Sequence, residues 1–130
     1  MTKAEIYEKA WKIALNRKDF SLLDTIYHQD YKALDERFGV EMNLEADKAW
    51  LSTTSLSLEY GRSKILFENA DFLCLQQYTK VKMEGGIIDW QVSISAITYK
   101  SGKIITQKTV IEKLDYDPSE NKDWNWESFE

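Results

Sequence analysis

The chain has 130 residues, 43% of them apolar and 30% charged, with a formal net charge of −5. That length suits one hydrophobic core, and that composition belongs to a folded globular domain rather than a disordered chain. An acidic balance argues against a nucleic-acid surface, which would need a concentrated basic patch; the lysines at 80, 82, 100, 103 and 108 suit strand edges and hairpin ends equally well. The single cysteine, Cys74, rules out an intramolecular disulfide, and with one histidine a zinc site of the usual Cys/His kind is not expected. No apolar signal core and no segment of membrane-spanning length is visible, so the expectation is a cytoplasmic protein without nucleic-acid or membrane partners.

From about Thr2 to Asn16, Ile6, Tyr7, Ala10, Trp11, Ala14 and Leu15 recur at helical spacing, with Glu5, Glu8, Lys9 and Lys12 opposite. Thr2 followed by Glu5 reads as a capping box. Asn16 to Asp19 breaks the pattern. A second short helix then carries Phe20, Leu22, Leu23, Ile26 and Tyr27, with Asp19 or Ser21 as its N-cap. Tyr31 to Val40 reads as a short strand ended by Gly39. Asn43 can cap a third helix over Leu44 to about Thr54, which should fray in the run Ser52-Thr53-Thr54-Ser55.

Beyond Leu56 the period changes to two. Strands are expected over Ser63–Glu68, Phe72–Met83, Ile87–Tyr99 and Ile104–Leu114. The turns between them are Asn69-Ala70-Asp71, Glu84-Gly85-Gly86 and Lys100-Ser101-Gly102-Lys103. Long strands joined by tight turns make an antiparallel meander, and helices gathered ahead of strands make an α+β fold. The domain is expected to span residues 1–116. Residues 117–130 form an acidic tail that nevertheless keeps Trp124, Trp126 and Phe129, rings that would dock on the sheet or on a partner subunit, or remain a sticky free end.

Two helices, a strand, a third helix and a meander resemble the nuclear transport factor 2-like superfamily over about Ala4 to Leu114. This is the cone fold of SnoaL-like polyketide cyclases, ketosteroid isomerases, limonene epoxide hydrolases and scytalone dehydratase. The sharpest local piece is the run from Arg17 to Asp35, RKDFSLLDTIYHQDYKALD, with its apolar positions spaced between Asp19, Asp30 and Asp35. The resemblance implies a bent, cone-shaped antiparallel sheet wrapped around the N-terminal helices. It also implies an apolar cavity at the wide end for a small-molecule ligand, and a homodimer formed through the sheet.

In the ketosteroid-isomerase-like branch an aspartate at the place of Asp35 is the general base, reaching into an apolar cavity that raises its proton affinity. The partner positions depart from that pattern: the expected tyrosine falls at Trp11 and the expected acid near Ser95, so steroid-isomerase chemistry is not expected. His28, just after the second helix, suits a helix C-terminus better than a catalytic role. Only one of Asp89 and Trp90 can face the cavity, because neighbouring strand residues point to opposite faces. Two rows compete there, Trp90-Val92-Ile94-Ala96 against Asp89-Gln91-Ser93-Ser95-Ile97-Tyr99. Trp11, Trp50, Tyr78, Trp90 and Ser95 are the expected pocket residues. No nucleophile elbow, phosphate loop or metal cluster is visible, and no cofactor is expected. The expected function is a SnoaL-like small-molecule binder, acting as a lyase, isomerase or hydrolase through Asp35; the alternative is a non-catalytic dimeric interaction domain.

Overall fold

The computed structural model describes residues 1–35, 39–54 and 57–127, Asp35 by its backbone only. Helix α1 (Lys3–Arg17) starts at Thr2, whose Oγ1 accepts the Glu5 N–H at 3.2 Å, and stops where Lys18 turns left-handed at φ 55°. Its buried side is built mostly from small residues, Ala4, Ala10 and Ala14 beside Tyr7 and Leu15, which lets the helix lie close on the sheet. Helix α2 (Ser21–Ile26) begins after Asp19, whose carboxylate accepts both the backbone N–H and the hydroxyl of Ser21. Helix α3 (Leu44–Thr53) is capped as expected, the Asn43 side chain accepting the Ala46 N–H at 2.9 Å. Lys18 ties the end of α1 to the end of α3 through the Leu51 carbonyl.

Six strands follow this plan: β1 (Tyr27–Asp35), β2 (Val40–Met42), β3 (Ser57–Asn69), β4 (Phe72–Lys82), β5 (Ile88–Lys100) and β6 (Lys103–Leu114). The sheet order is β2-β1-β6-β5-β4-β3. The β3 to β6 part is the expected antiparallel meander. The whole sheet is mixed, because β1 runs parallel to β6, pairing Ala33 with Gln107. Irregular register within β1, β3 and β6 marks the bulges that bend long strands. The β4–β5 turn crosses Gly85 and Gly86 at φ 79° and 76°, a conformation that side chains disfavour.

One sequence expectation changes. The strand placed at Tyr31–Val40 begins at Tyr27, and the chain reverses between it and a separate β2. The β-compatible run Tyr27–Asp35 takes over where helical spacing ends. His28 directly follows the Tyr27 cap of α2, as expected, and is already part of β1; its Nδ1 accepts the Asp30 N–H at 3.0 Å.

Leu73, Leu75, Ile97 and Ile104 meet the buried side of α1, with Leu23 and Leu51 from the other helices. Alternation then fixes the faces: Leu73, Leu75, Ser95 and Ile97 point inward, and Phe72, Cys74, Tyr78, Trp90 and Ile94 point outward.

The C-terminal segment crosses this outer face. Trp124 stacks on Tyr78 with ring centroids 5.5 Å apart, and Trp126 meets Trp124 edge-on at 5.1 Å. The Trp126 indole donates to the Asp117 carboxylate at 3.0 Å. Glu127 exchanges two backbone hydrogen bonds with Tyr60, at 2.8 and 2.9 Å. Of the alternatives open for the tail, docking on its own sheet is the one observed; Phe129 lies outside the described residues. The strap needs Gly61, where a Cβ would sit 2.6 Å from a Trp124 ring carbon and 2.9 Å from Trp126.

Gly61→Ala is expected to dislodge the strap and cost about 1–3 kcal/mol, read as a lower urea midpoint with a red-shifted tryptophan emission. Truncation after Tyr116 should reproduce most of that loss. An unchanged midpoint in both variants would mean that the strap contributes nothing to stability.

Candidate functional site

Where β1 stops pairing with β6, at Ala33 and Gln107, a gap opens between the sheet edge and the helices. It forms a cavity of about 480 Å³ walled by Trp11 of α1, Asp47 of α3, Tyr31 and Ala33 of β1, Met42 of β2, and Gln107, Thr109 and Ile111 of β6. That volume lies within the usual range for small-molecule sites, about 300–1,000 Å³.

The polar groups beneath the cavity form a connected network. The Trp11 indole donates to the Tyr27 hydroxyl at 2.9 Å, and that hydroxyl donates to Gln107 Oε1 at 2.8 Å. Gln107 Nε2 donates to the Tyr7 hydroxyl at 2.7 Å and to Thr109 Oγ1 at 3.2 Å. Ser95 is bonded to Thr109 at 2.9 Å and sits against the Tyr7 hydroxyl, which brings the network back on itself. With both ends of the Gln107 amide engaged, its orientation is fixed by its partners. Tyr7, Tyr27 and Tyr31 are all pushed well above the ordinary tyrosine range, first by burial, so these hydroxyls stay protonated.

Asp47 is different in kind. It stands in the first turn of α3 on the helix side that also carries Leu44 and buried Leu51, and burial pushes its carboxyl from the ordinary 3.8 up to about 6. A carboxylate held near neutrality can accept or release a proton, or act as counter-ion to a cation, under ordinary conditions. The charged neighbours lie at the margins. Lys113 is largely exposed and pairs with Asp89 at 3.0 Å; Lys48, on the same helix as Asp47, pairs with Asp24 and Glu45.

The expected site residues divide sharply. Trp11 lines the cavity, and Ser95 belongs to the network beneath it, but the indole N–H and the serine hydroxyl are bonded to protein partners rather than offered to a ligand. The inward row of β5 is the one containing Ser95, Ile97 and Tyr99, which resolves the two competing rows. Trp90 is therefore on the outer face and not in the cavity; its Nε1 is buried without a hydrogen-bond partner among the described residues. Tyr78 likewise faces outward, beneath Trp124. Trp50 is 52% exposed, on the solvent side of α3, because Leu51 takes the inward position. Asp35 ends β1 opposite Val40, and its side chain lies outside the described residues.

Asp47, Gln107 and Tyr31 are not among the pocket residues expected from the sequence. A signal for Asp47 existed: with Leu44, Lys48 and Leu51 it makes an i, i+3, i+4, i+7 series, so an acid sits on a helix face that packs inward. Gln107 and Thr109 could be found only once β1 was known to pair with β6.

No family model and no curated protein matches this sequence. Solved structures do resemble it. An NTF2-like protein from Burkholderia xenovorans aligns with a TM-score of 0.64 at 15% identity, covering 86% of this chain and 92% of that one. A candidate polyketide cyclase from Streptomyces antibioticus gives 0.64 at 11% identity, over 85% and 93%. A protein of ketosteroid isomerase-like fold from Catenulispora acidiphila, solved in complex with trimethylamine, gives 0.60 at 18%, over 91% and 89%. Identities this low speak to fold, and the fold is plain. The chain is an α+β protein with the nuclear transport factor 2-like fold, in the form shared by ketosteroid isomerase-like and SnoaL-like structures. Among the described residues no helix is long and apolar enough to cross a membrane.

Two outcomes follow from the site. Gln107→Leu strands the hydroxyls of Tyr7 and Tyr27 and should cost about 2–4 kcal/mol, measured by urea unfolding. For Asp47 the native carboxyl binds its proton more tightly than the unfolded one, so folding loses stability as pH rises through about 6. Asp47→Asn removes that loss. Discounted for the solvent that still reaches the group, it should gain about 1–2 kcal/mol over the parent at about pH 8. The gain should fade near pH 4, below which both states are protonated.

Proposed function

We propose that this protein binds a small, largely apolar organic molecule in the cavity between α1, α3, β1 and β6, as a SnoaL-like protein. The observation that carries this reading is the cavity itself, about 480 Å³ walled by aromatic and aliphatic side chains over a hydrogen-bonded floor. A volume of this size left open beside a closely packed core suits an occupant. The neighbouring folds described as polyketide cyclase and ketosteroid isomerase-like are in keeping with a metabolite-sized ligand.

The catalytic part of the proposal is a lyase, isomerase or hydrolase step with Asp35 as general base. It rests on the position of Asp35 in the run from Arg17 to Asp35. The engaged states of Trp11 and Ser95 argue against an oxyanion site at those two residues, so any such step would use a different electrophilic partner.

The homodimer remains part of the proposal, favoured by one observation. Ile94 and Val110, paired on adjacent strands, are 43% and 60% exposed on the outer face, and Phe67 is 56% exposed on β3. Apolar exposure of this kind across a sheet face marks a contact surface. Ile94→Glu should convert a dimer to a monomer in light scattering; a parent protein already monomeric at high concentration would end this part.

Ala33→Trp is expected to fill the cavity while the fold keeps a cooperative thermal transition. A panel of apolar metabolites should raise the melting temperature of the parent protein and not that of Ala33→Trp. Equal shifts in both would place binding elsewhere. Asp35→Asn should then abolish turnover of any bound substrate that the parent converts, leaving its binding within a few-fold.

A further inference from the structure

The cavity presents an unbalanced set of groups to whatever fills it. Its hydrogen-bonding floor is neutral and internally engaged: the Trp11 indole, the Tyr27 hydroxyl and both ends of the Gln107 amide already have protein partners. Among the described residues, the acidic and basic side chains on its walls are Asp47, Lys108 and Lys113. Lys113 is 71% exposed and held by Asp89, and Lys108 is exposed and has a partner of its own. Among the described residues Asp47 is the charged group carried inward, and it shares the cavity with the rings of Trp11 and Tyr31. A desolvated carboxylate beside aromatic faces is an arrangement that favours a cation, through charge pairing and through the ring quadrupoles.

Resting on the reading that this cavity is a ligand site, we propose that it takes a protonated amine carried on a small apolar body. Asp47 is the counter-ion, and the Trp11 and Tyr31 rings flank the cationic head. An anionic head would face Asp47 as a like charge and would have to remain at the lysine rim. A neutral ligand would leave a half-buried carboxylate without a charge partner. The protein's net charge of −5 also favours the approach of a cation.

The pH dependence follows from the same group. The titratable groups facing Asp47 are Tyr7 of α1 and Tyr27 and Tyr31 of β1, all neutral far above physiological pH. On its own helix Glu45 and Lys48 are paired with each other, and Lys48 also with Asp24 of α2. On β6 and β5 stand Lys108, Lys113 and Asp89, and across β1 and β2 Lys32 pairs with Glu41 at the surface. Asp35 ends β1 with its side chain outside the described residues. His28 of β1 pairs with Asp30 and is not among the cavity's described lining residues, so among those the charge that changes between about pH 5 and pH 7.5 is that of Asp47. Over that interval the Asp47 carboxyl ionises, so amine affinity should rise with pH.

The test is calorimetric titration with three probes of one shape: 3-phenylpropylamine, 3-phenylpropanol and 3-phenylpropionate. At about pH 7.5 the amine should bind on the order of ten times more tightly than the alcohol, and the carboxylate more weakly than either. At about pH 5 the advantage of the amine over the alcohol should fall roughly ten-fold, following the ionised fraction of Asp47. Asp47→Asn, which is expected to fold at least as well as the parent, should bind the alcohol as before and lose the preference for the amine. If amine and alcohol bind equally, or if the preference survives in Asp47→Asn, the amine proposal is overturned while the cavity reading stands. If none of the three binds to the parent protein, both fall together.

Discussion

Gln107 holds the molecule's two layers in register. Its amide joins Tyr7 of the first helix to Tyr27 of the first strand from the middle of the last strand, across separations of 100 and 80 residues in the chain. Each partner is buried or nearly so, and each has more than one bond to satisfy. A ring of this sort is costly when incomplete and specific when complete, because a displaced helix would leave several buried polar atoms unpaired at once. The small residues of α1 bring the helix close to the sheet, and the ring fixes where along the sheet it stops.

That constraint shapes the cavity. Because the floor is closed by protein–protein hydrogen bonds, the donors that a ketosteroid-isomerase-like site would aim at a substrate are turned toward the protein instead. The indole of Trp11 contributes a wall rather than a hydrogen bond. Chemistry in the cavity therefore falls to groups outside the ring, and Asp47 is the described one whose environment sets it apart. The end of the β1–β6 pairing completes the arrangement, since the gap past Ala33 gives the cavity its opening beside β6.

Much of the fold was legible in the sequence. The caps at Thr2 and Asn43, the switch to a period of two after Leu56, and the Gly85-Gly86 turn are local signals, and local structure obeyed them. The parallel β1–β6 contact was not legible, because nothing in Tyr27–Asp35 names a partner lying some eighty residues further along the chain. The site suffered most from that gap. Trp50, Tyr78 and Trp90 have rings of a size that suits a cavity wall, yet helix phase and strand parity turn all three away from the cavity. Gln107 and Thr109, ordinary polar residues in a strand, acquire their role only through neighbours brought from the other end of the molecule. The tail was half legible: its tryptophans announced a docking surface, but it takes the stacking of Trp124 on Tyr78 and the bond pattern between Glu127 and Tyr60 to show that the surface is its own sheet.

Among the described residues, closure of the buried network leaves Asp47 as the desolvated carboxylate that defines the cavity. A carbon-detected NMR titration of side-chain carboxyls, with Asp47 assigned by its loss in Asp47→Asn, measures this directly. A midpoint near 6 is expected for Asp47. A midpoint at the ordinary value of 3.8 would contradict this by showing a fully solvated carboxylate.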